Sequence, residues 1–169
     1  MTRLTGLALL ILAAAALWTP APAARAQGAG QTKSLYRPVH EYDPKRDAAA
    51  DVEAALAEAR RTSRRVLLEV GGKWCIWCRI LDDYFERNAD VLKLREDSYV
   101  MVKVNFSLDN KNEALLDKYP EIAGYPHFFV LDAEGKLLHS QSTGELELGK
   151  SYDKEKMVAF LKRWAPGSF

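Results

Sequence analysis

The chain of 169 residues carries 24 Lys and Arg against 23 Asp and Glu, a formal charge of +1, with 48% hydrophobic and 28% charged residues. That is room for one domain with a real core and too little for two. No basic stripe or acidic block interrupts the balance, so nucleic acid is not an expected partner.

The first segment has its own chemistry. Arg3 precedes an uncharged apolar run, Leu7 to Trp18, and small residues follow up to Ala24-Arg25-Ala26. A positive start, a short apolar run and an A-x-A triplet predict a secretory signal peptide over 1–26, cleaved before Gln27. The run is short of the roughly 20 residues that span a membrane; the alternative is an uncleaved N-terminal anchor. Either way the domain lies outside the cytoplasm, expected in the periplasm or otherwise exported, and touches the membrane only through this signal. Cleavage removes two arginines and no acid, so the formal charge drops by two to −1.

Residues 27–42 read as a flexible leader and 43–169 as the domain. Tyr36-Arg37-Pro38 and Tyr42-Asp43-Pro44 are extended or turn dipeptides, because a residue before proline avoids the helical region. A helix is expected over about 48–61, capped by Asp47, with Val52, Ala55, Leu56 and Ala59 on one face. Arg60, Arg61, Arg64 and Arg65 crowd its end, where cations are favourable; a solvated helix end accounts for them. Val66 to Val70 is the pattern of a buried strand, broken by Gly71-Gly72. Trp74-Cys75-Ile76-Trp77-Cys78 follows, then Ile80, Leu81, Tyr84 and Phe85 at helical spacing, so the two cysteines fall at a strand-to-helix junction. Further expectations are a strand over 99–105, a short helix over 112–118, a turn at Gly124-Tyr125-Pro126, strands over 127–131 and 137–140 around a hairpin turn at 132–136, and a closing helix over 153–164. The order gives an α/β fold, one central sheet flanked by helices.

Cys75 and Cys78 are the only cysteines. A bridge across so small a loop removes little chain entropy, so a structural staple explains the pair poorly. Redox or metal chemistry explains it better. At a helix N-terminus, free N–H groups and the positive dipole end stabilise a thiolate, and Lys73 and Arg79 add positive charge. Cys75 is then the attacking sulfur. Cys78, one turn on, resolves the mixed disulfide. A zinc site would need two further ligands from His40, His127 and His139, which fall on different elements. A copper-binding role for Cys75, Cys78 and His127 or His139 stands as the alternative.

The Trp74-Cys75-x-x-Cys78 motif after a buried strand, Tyr125-Pro126 before a later strand and Gly144 after the hairpin resemble the thioredoxin superfamily. The centre is similar to that of small exported thioredoxin-like proteins with Trp-Cys-x-Trp-Cys and, more distantly, to the C-terminal domain of the thiol:disulfide interchange proteins. The resemblance spans about 43–164 and implies a thioredoxin-like fold with a mixed sheet. It also implies a thiol–disulfide oxidoreductase whose redox-active disulfide is its only working group, with no bound cofactor or metal. Pro126 would be a cis-proline facing the dithiol, with the Tyr125 backbone turned out to pair with an extended substrate; an ordinary trans-proline at a strand start is the other reading. Glu69, six residues before Cys75, would be a buried acid that exchanges a proton with Cys78 through a water; its alternative is a strand-edge partner of Arg64 or Arg65. Trp74 would shield the dithiol or simply pack in the core, and Trp77 would be exposed as part of the substrate contact. His127 would tune the thiolate or serve only as a strand residue.

Two departures stand out. Ile76-Trp77 replaces the common Gly-Pro, so the redox potential does not carry over. Asp83 stands where a helix-kinking proline is usual, so the helix is expected to run straighter or break differently. With no histidine or charge between the cysteines, a protein-disulfide reductase is expected. Its partners would be oxidised protein substrates and a membrane thiol electron donor. A monomer is expected.

Overall fold

The computed structural model describes residue 1 and residues 36–167; the expected signal peptide over 1–26 and the first part of the leader lie outside them. Helix α1 (Ala48–Thr62) begins where the Asp47 carboxylate accepts from the Ala50 N–H at 3.0 Å, and it ends at Ser63 in the left-handed region. Its buried side, including Val52, Ala55, Leu56 and Ala59, is the stripe expected from the spacing. β1 (Arg65–Gly71) is the centre of a four-stranded sheet. It runs parallel to β2 (Tyr99–Asn105) and antiparallel to β3 (His127–Leu131), and β4 (Leu137–Ser142) pairs outside β3, giving the order β2-β1-β3-β4.

Strand alternation divides the core into two layers. Val66, Leu68, Val70, Val102, Phe129 and Leu131 face α1 and the short α4 (Glu113–Leu116). Leu67, Met101, Phe128 and Val130 face α2 (Ile76–Arg87), α3 (Ala89–Ser98) and α5 (Lys154–Arg163). Truncating any of the fully buried leucines or phenylalanines in these layers costs about 2–5 kcal/mol. The hairpin turn at 132–136 forms because the Asp132 carboxylate accepts from the N–H groups of Glu134 and Lys136 while Gly135 takes φ +89°. The α/β class and central mixed sheet are as expected.

Three features differ from the expectation. The helix after the cysteines passes Asp83 unbroken, the straighter course expected of it, but beyond Asn88, whose N–H and side-chain amide both bond the Tyr84 carbonyl, a further helix, α3, starts at once. A short helical turn (Thr143–Leu146) leads to two more strands, β5 (Glu147–Leu148) and β6 (Ser151–Tyr152), before Asp153 caps α5. The described part of the leader is also packed. Val39 bridges Val102 in parallel and is buried, as is Tyr42, so structure begins before the boundary expected at residue 43.

Candidate active site at the strand-to-helix junction

β1 delivers the chain to the top of the sheet, Gly71-Gly72 turns it, and Cys75 caps α2. The Cys75 backbone is extended, at φ −84° and ψ 113°, and its sulfur accepts from the Cys78 N–H at 3.1 Å. Cys75 and Cys78 form a disulfide, with Cα atoms 5.3 Å apart. The sulfur of the N-cap residue therefore occupies the position where free helix N–H groups converge, which favours negative charge on it once the bridge opens. Both cysteines are nearly closed off, at 3% and 1% exposure.

Beneath them lies a buried polar cluster. Glu69 points to the α2 face of β1 and is 0% exposed. It accepts from the Tyr42 hydroxyl at 2.5 Å and lies 3.7 Å from Lys103 Nζ, its register partner on β2. Lys103 is committed more closely to Asp82 of α2, at 2.5 Å and 2.6 Å, and sits over the Tyr42 ring. Burial pushes the Glu69 carboxyl up, and the Lys103 charge only partly offsets this. The same burial, with the Glu69 charge beside it, drives the Tyr42 phenol well above its ordinary value. The alternative pairing of Glu69 with Arg64 or Arg65 is absent. Arg64 bonds Glu58 and the carbonyls of Glu96 and Tyr99, and Arg65 donates to the Trp164 carbonyl.

Around the disulfide runs an aromatic surface. Trp74 is 56% exposed, held by a hydrogen bond from its indole N–H to the Phe106 carbonyl at 2.6 Å and by an edge contact with Tyr125. Tyr125 stacks on Phe106 in turn. The Tyr125–Pro126 peptide bond is cis, and the Thr143 hydroxyl donates to the Pro126 carbonyl at 2.5 Å. Trp74 is thus a surface residue and not part of the core. The exposure expected of Trp77 is corrected: its ring is half-buried against Tyr152, because position 77 turns toward the β5–β6 hairpin. Ile76, at 55% exposure, is the residue between the cysteines that faces solvent.

The histidines lie elsewhere. His127 follows Pro126, yet its ring turns onto Phe129 and hydrogen-bonds Ser140. Burial lowers its pKa to about 4, with the Glu145 charge opposing, so the ring is neutral at pH 7. His139 stacks on Trp164. Among the described residues no group of three or more His, Cys, Asp or Glu side chains is placed to hold a metal ion. The copper reading thus finds no third ligand beside the cysteines there. Two members of the buried cluster, Tyr42 and Lys103, are not picked out by sequence reasoning. A lysine in the strand Tyr-Val-Met-Val-Lys-Val-Asn is the signal that could have found one of them.

Comparison with known proteins places this geometry. Disulfide bond reductase DsbH of Chlamydia pneumoniae is 29% identical over 136 residues, 72% of this chain and 76% of that protein. The thiol:disulfide interchange protein DsbD of Pseudomonas fluorescens is 29% identical over 117 residues, 68% of this chain but 18% of that protein, so this chain spans less than a fifth of DsbD. The crystal structure of a disulphide isomerase from Xylella fastidiosa Temecula1 superposes with a TM-score of 0.63 at 29% identity, covering 72% of this chain and 94% of that one. Residues 47–133, from the α1 cap to the β3–β4 turn, match the thioredoxin-like family. With more than half its length so matched and a disulfide-forming Cys75–Cys78 pair at the strand-to-helix junction, the chain belongs to the thioredoxin-like family.

Proposed function

We propose that this chain is an exported protein-disulfide reductase in which Cys75 attacks a substrate disulfide and Cys78 resolves the mixed disulfide. The observation that carries the reading is the pairing of the two sulfurs at the first turn of α2, packed with Tyr42, whose hydroxyl donates to the buried Glu69 carboxyl. The reaction balances within the dithiol. The Cys75 thiolate breaks the substrate S–S bond and forms a mixed disulfide, releasing one substrate thiolate. The Cys78 thiolate then attacks Cys75 Sγ, closes the Cys75–Cys78 bond and releases the second substrate thiolate. Two electrons pass to the substrate with no bound cofactor. Glu69, its proton affinity raised by burial, takes the Cys78 proton.

Trp74, Ile76, Tyr125 and the backbone at the cis Pro126 form the surface that receives the substrate, as an extended segment beside the disulfide. Trp77 contributes mainly by holding the loop on Tyr152. The reductase direction is supported by Ile76-Trp77, which places neither charge nor imidazole between the sulfurs to stabilise the reduced pair. Export is supported by the apolar run and Ala24-Arg25-Ala26 of the sequence. An exported reductase has to be recharged, and a membrane thiol protein is the donor we assign.

Cys78→Ser should hold oxidised substrate on Cys75 as a stable mixed disulfide, Cys75→Ser should trap nothing, and only the wild type should reduce insulin. A redox titration followed by tryptophan fluorescence should give a potential more negative than about −200 mV. A value near −120 mV, that of a strong oxidant, would overturn the direction.

A further inference from the structure

We propose that the Tyr42 hydroxyl is the proton relay between Cys78 and Glu69, in place of a water. This rests on the exchange reading above and adds a residue to it. Gly71 shows how the first two of these groups approach each other. A Cβ built on Gly71 would lie 2.5 Å from Cys78 Sγ and 2.8 Å from Tyr42 Oη, so both atoms converge on the space that the missing side chain leaves open. Tyr42 packs in one apolar cluster with Cys75 and Cys78. On its other side the hydroxyl donates to Glu69 Oε1 at 2.5 Å. The second oxygen, Oε2, is buried without a hydrogen-bond partner.

A hydroxyl donates and accepts at once, which a relay requires. Lys103 cannot serve, since an ammonium has no acceptor and this one is held by Asp82. The charged and titratable groups that act on the pair are Lys103 of β2, Asp82 of α2, Tyr152 of β6 and, on Glu69, Arg95 of α3. In the resolving step the Cys78 thiol passes its proton to Tyr42 Oη while the Tyr42 proton moves to Glu69 Oε1. The freed sulfur electron pair forms the Cys75–Cys78 bond, and the pair of the broken mixed disulfide leaves with the substrate sulfur. Tyr42 ends as it began, and Glu69 ends neutral.

The test separates the two chemical steps. Reduced full-length protein is mixed with an aromatic disulfide such as dithiobis-nitrobenzoate, and two thiolate releases are followed, the first from attack by Cys75 and the second from resolution by Cys78. In Tyr42→Phe the first phase should match wild type. The second should slow about 100-fold at pH 7, the scale of a placed proton-transfer group. The deficit should shrink above about pH 8.5, where a thiol ionises unaided. Glu69→Gln should show the same deficit, and adding Tyr42→Phe to it should slow the step no further. A second phase equal to wild type, or one slowed by the same factor at every pH, overturns the relay. Should Tyr42→Phe fail to fold, fluorotyrosine at position 42 keeps the ring and hydroxyl but changes its acidity. An altered pH profile of the second phase is then expected, and an unchanged one overturns the relay. A wild type that releases only one equivalent would refute the exchange reading itself, and the relay with it.

Discussion

Gly71→Ala tests the packing of this site with a single methyl group. Gly71 is the last residue of β1, and its φ is not in the left-handed region, so alanine meets no backbone strain. The cost comes from the side chains. The new Cβ would sit 2.5 Å from Cys78 Sγ, 2.8 Å from Tyr42 Oη and 3.1 Å from Tyr42 Cζ, against an optimum of roughly 3.5–4.0 Å. None of its neighbours is free to retreat. Cys78 is tied to Cys75, Tyr42 is bonded to Glu69, and the Gly71 carbonyl is held by the Phe106 N–H at 2.6 Å. Overpacking of this kind costs about 1–3 kcal/mol, and roughly 2 kcal/mol corresponds to a fall in Tm of about 4–8 °C for a chain of this size. Reduction unties Cys78 Sγ and lets it rotate away, so the oxidised form should lose more than the reduced one. If about 1 kcal/mol is relieved on reduction, the potential rises by about 20 mV. Guanidinium unfolding of both redox forms and a fluorescence-detected redox titration read these quantities. An oxidised variant within about 0.5 kcal/mol of wild type would refute the reasoning, as would a reduced form that suffers more.

Two further outcomes follow from titration. The His127 pKa is lowered to about 4 by burial, so between that value and about 6.5 the unfolded chain binds a proton that the folded chain refuses, and stability falls as pH drops through this window. The loss is at most about 3 kcal/mol by pH 4, and the unfolding free energy of His127→Gln, from denaturant titrations across this pH range, should be flatter by that amount. Glu69 has the opposite sense: its folded carboxyl holds its proton to higher pH than the unfolded one, so ionisation in the folded state costs stability as pH rises. Glu69→Gln should therefore be more stable than wild type at pH 8, by on the order of 1 kcal/mol, with no gain at pH 4; a gain that grows toward acid would refute the assignment.

The strands and the longer helices were legible because their apolar residues follow a clean period. Leu67 and Val66 separate onto two layers by alternation alone, and Val52, Ala55, Leu56 and Ala59 fall on one side of α1. α3 was not legible. Its sequence, Ala-Asp-Val-Leu-Lys-Leu-Arg-Glu-Asp-Ser, buries Val91, Arg95 and Ser98, and a buried arginine lying over the Phe85 ring has no apolar signature. Trp77 departs from its expected exposure for a related reason. Its partner Tyr152 belongs to the small β5–β6 hairpin, whose strands of two residues each are too short to carry a period.

The site divides along the same line. Cys75, Cys78 and Glu69 lie within ten residues of one another, so strand and helix geometry can relate them without knowledge of the whole fold. What surrounds Glu69 comes from elsewhere. Tyr42 lies 27 residues away in sequence and reaches the carboxyl on a segment that is held along β2 at Val39 and to Asn110 at Pro44. Lys103 follows from register: once β1 and β2 are parallel with Glu69 opposite Lys103, the lysine has no other side of the strand to occupy. Gly71 then takes on a second meaning. It ends the β1 run, and its bare α-carbon also leaves the space into which Cys78 Sγ and Tyr42 Oη both reach. On the proposed relay the proton chemistry of Cys78 depends on residues that the cysteine motif does not contain, and substitutions at 42, 71 and 103 should change the resolving step while the motif itself stays intact.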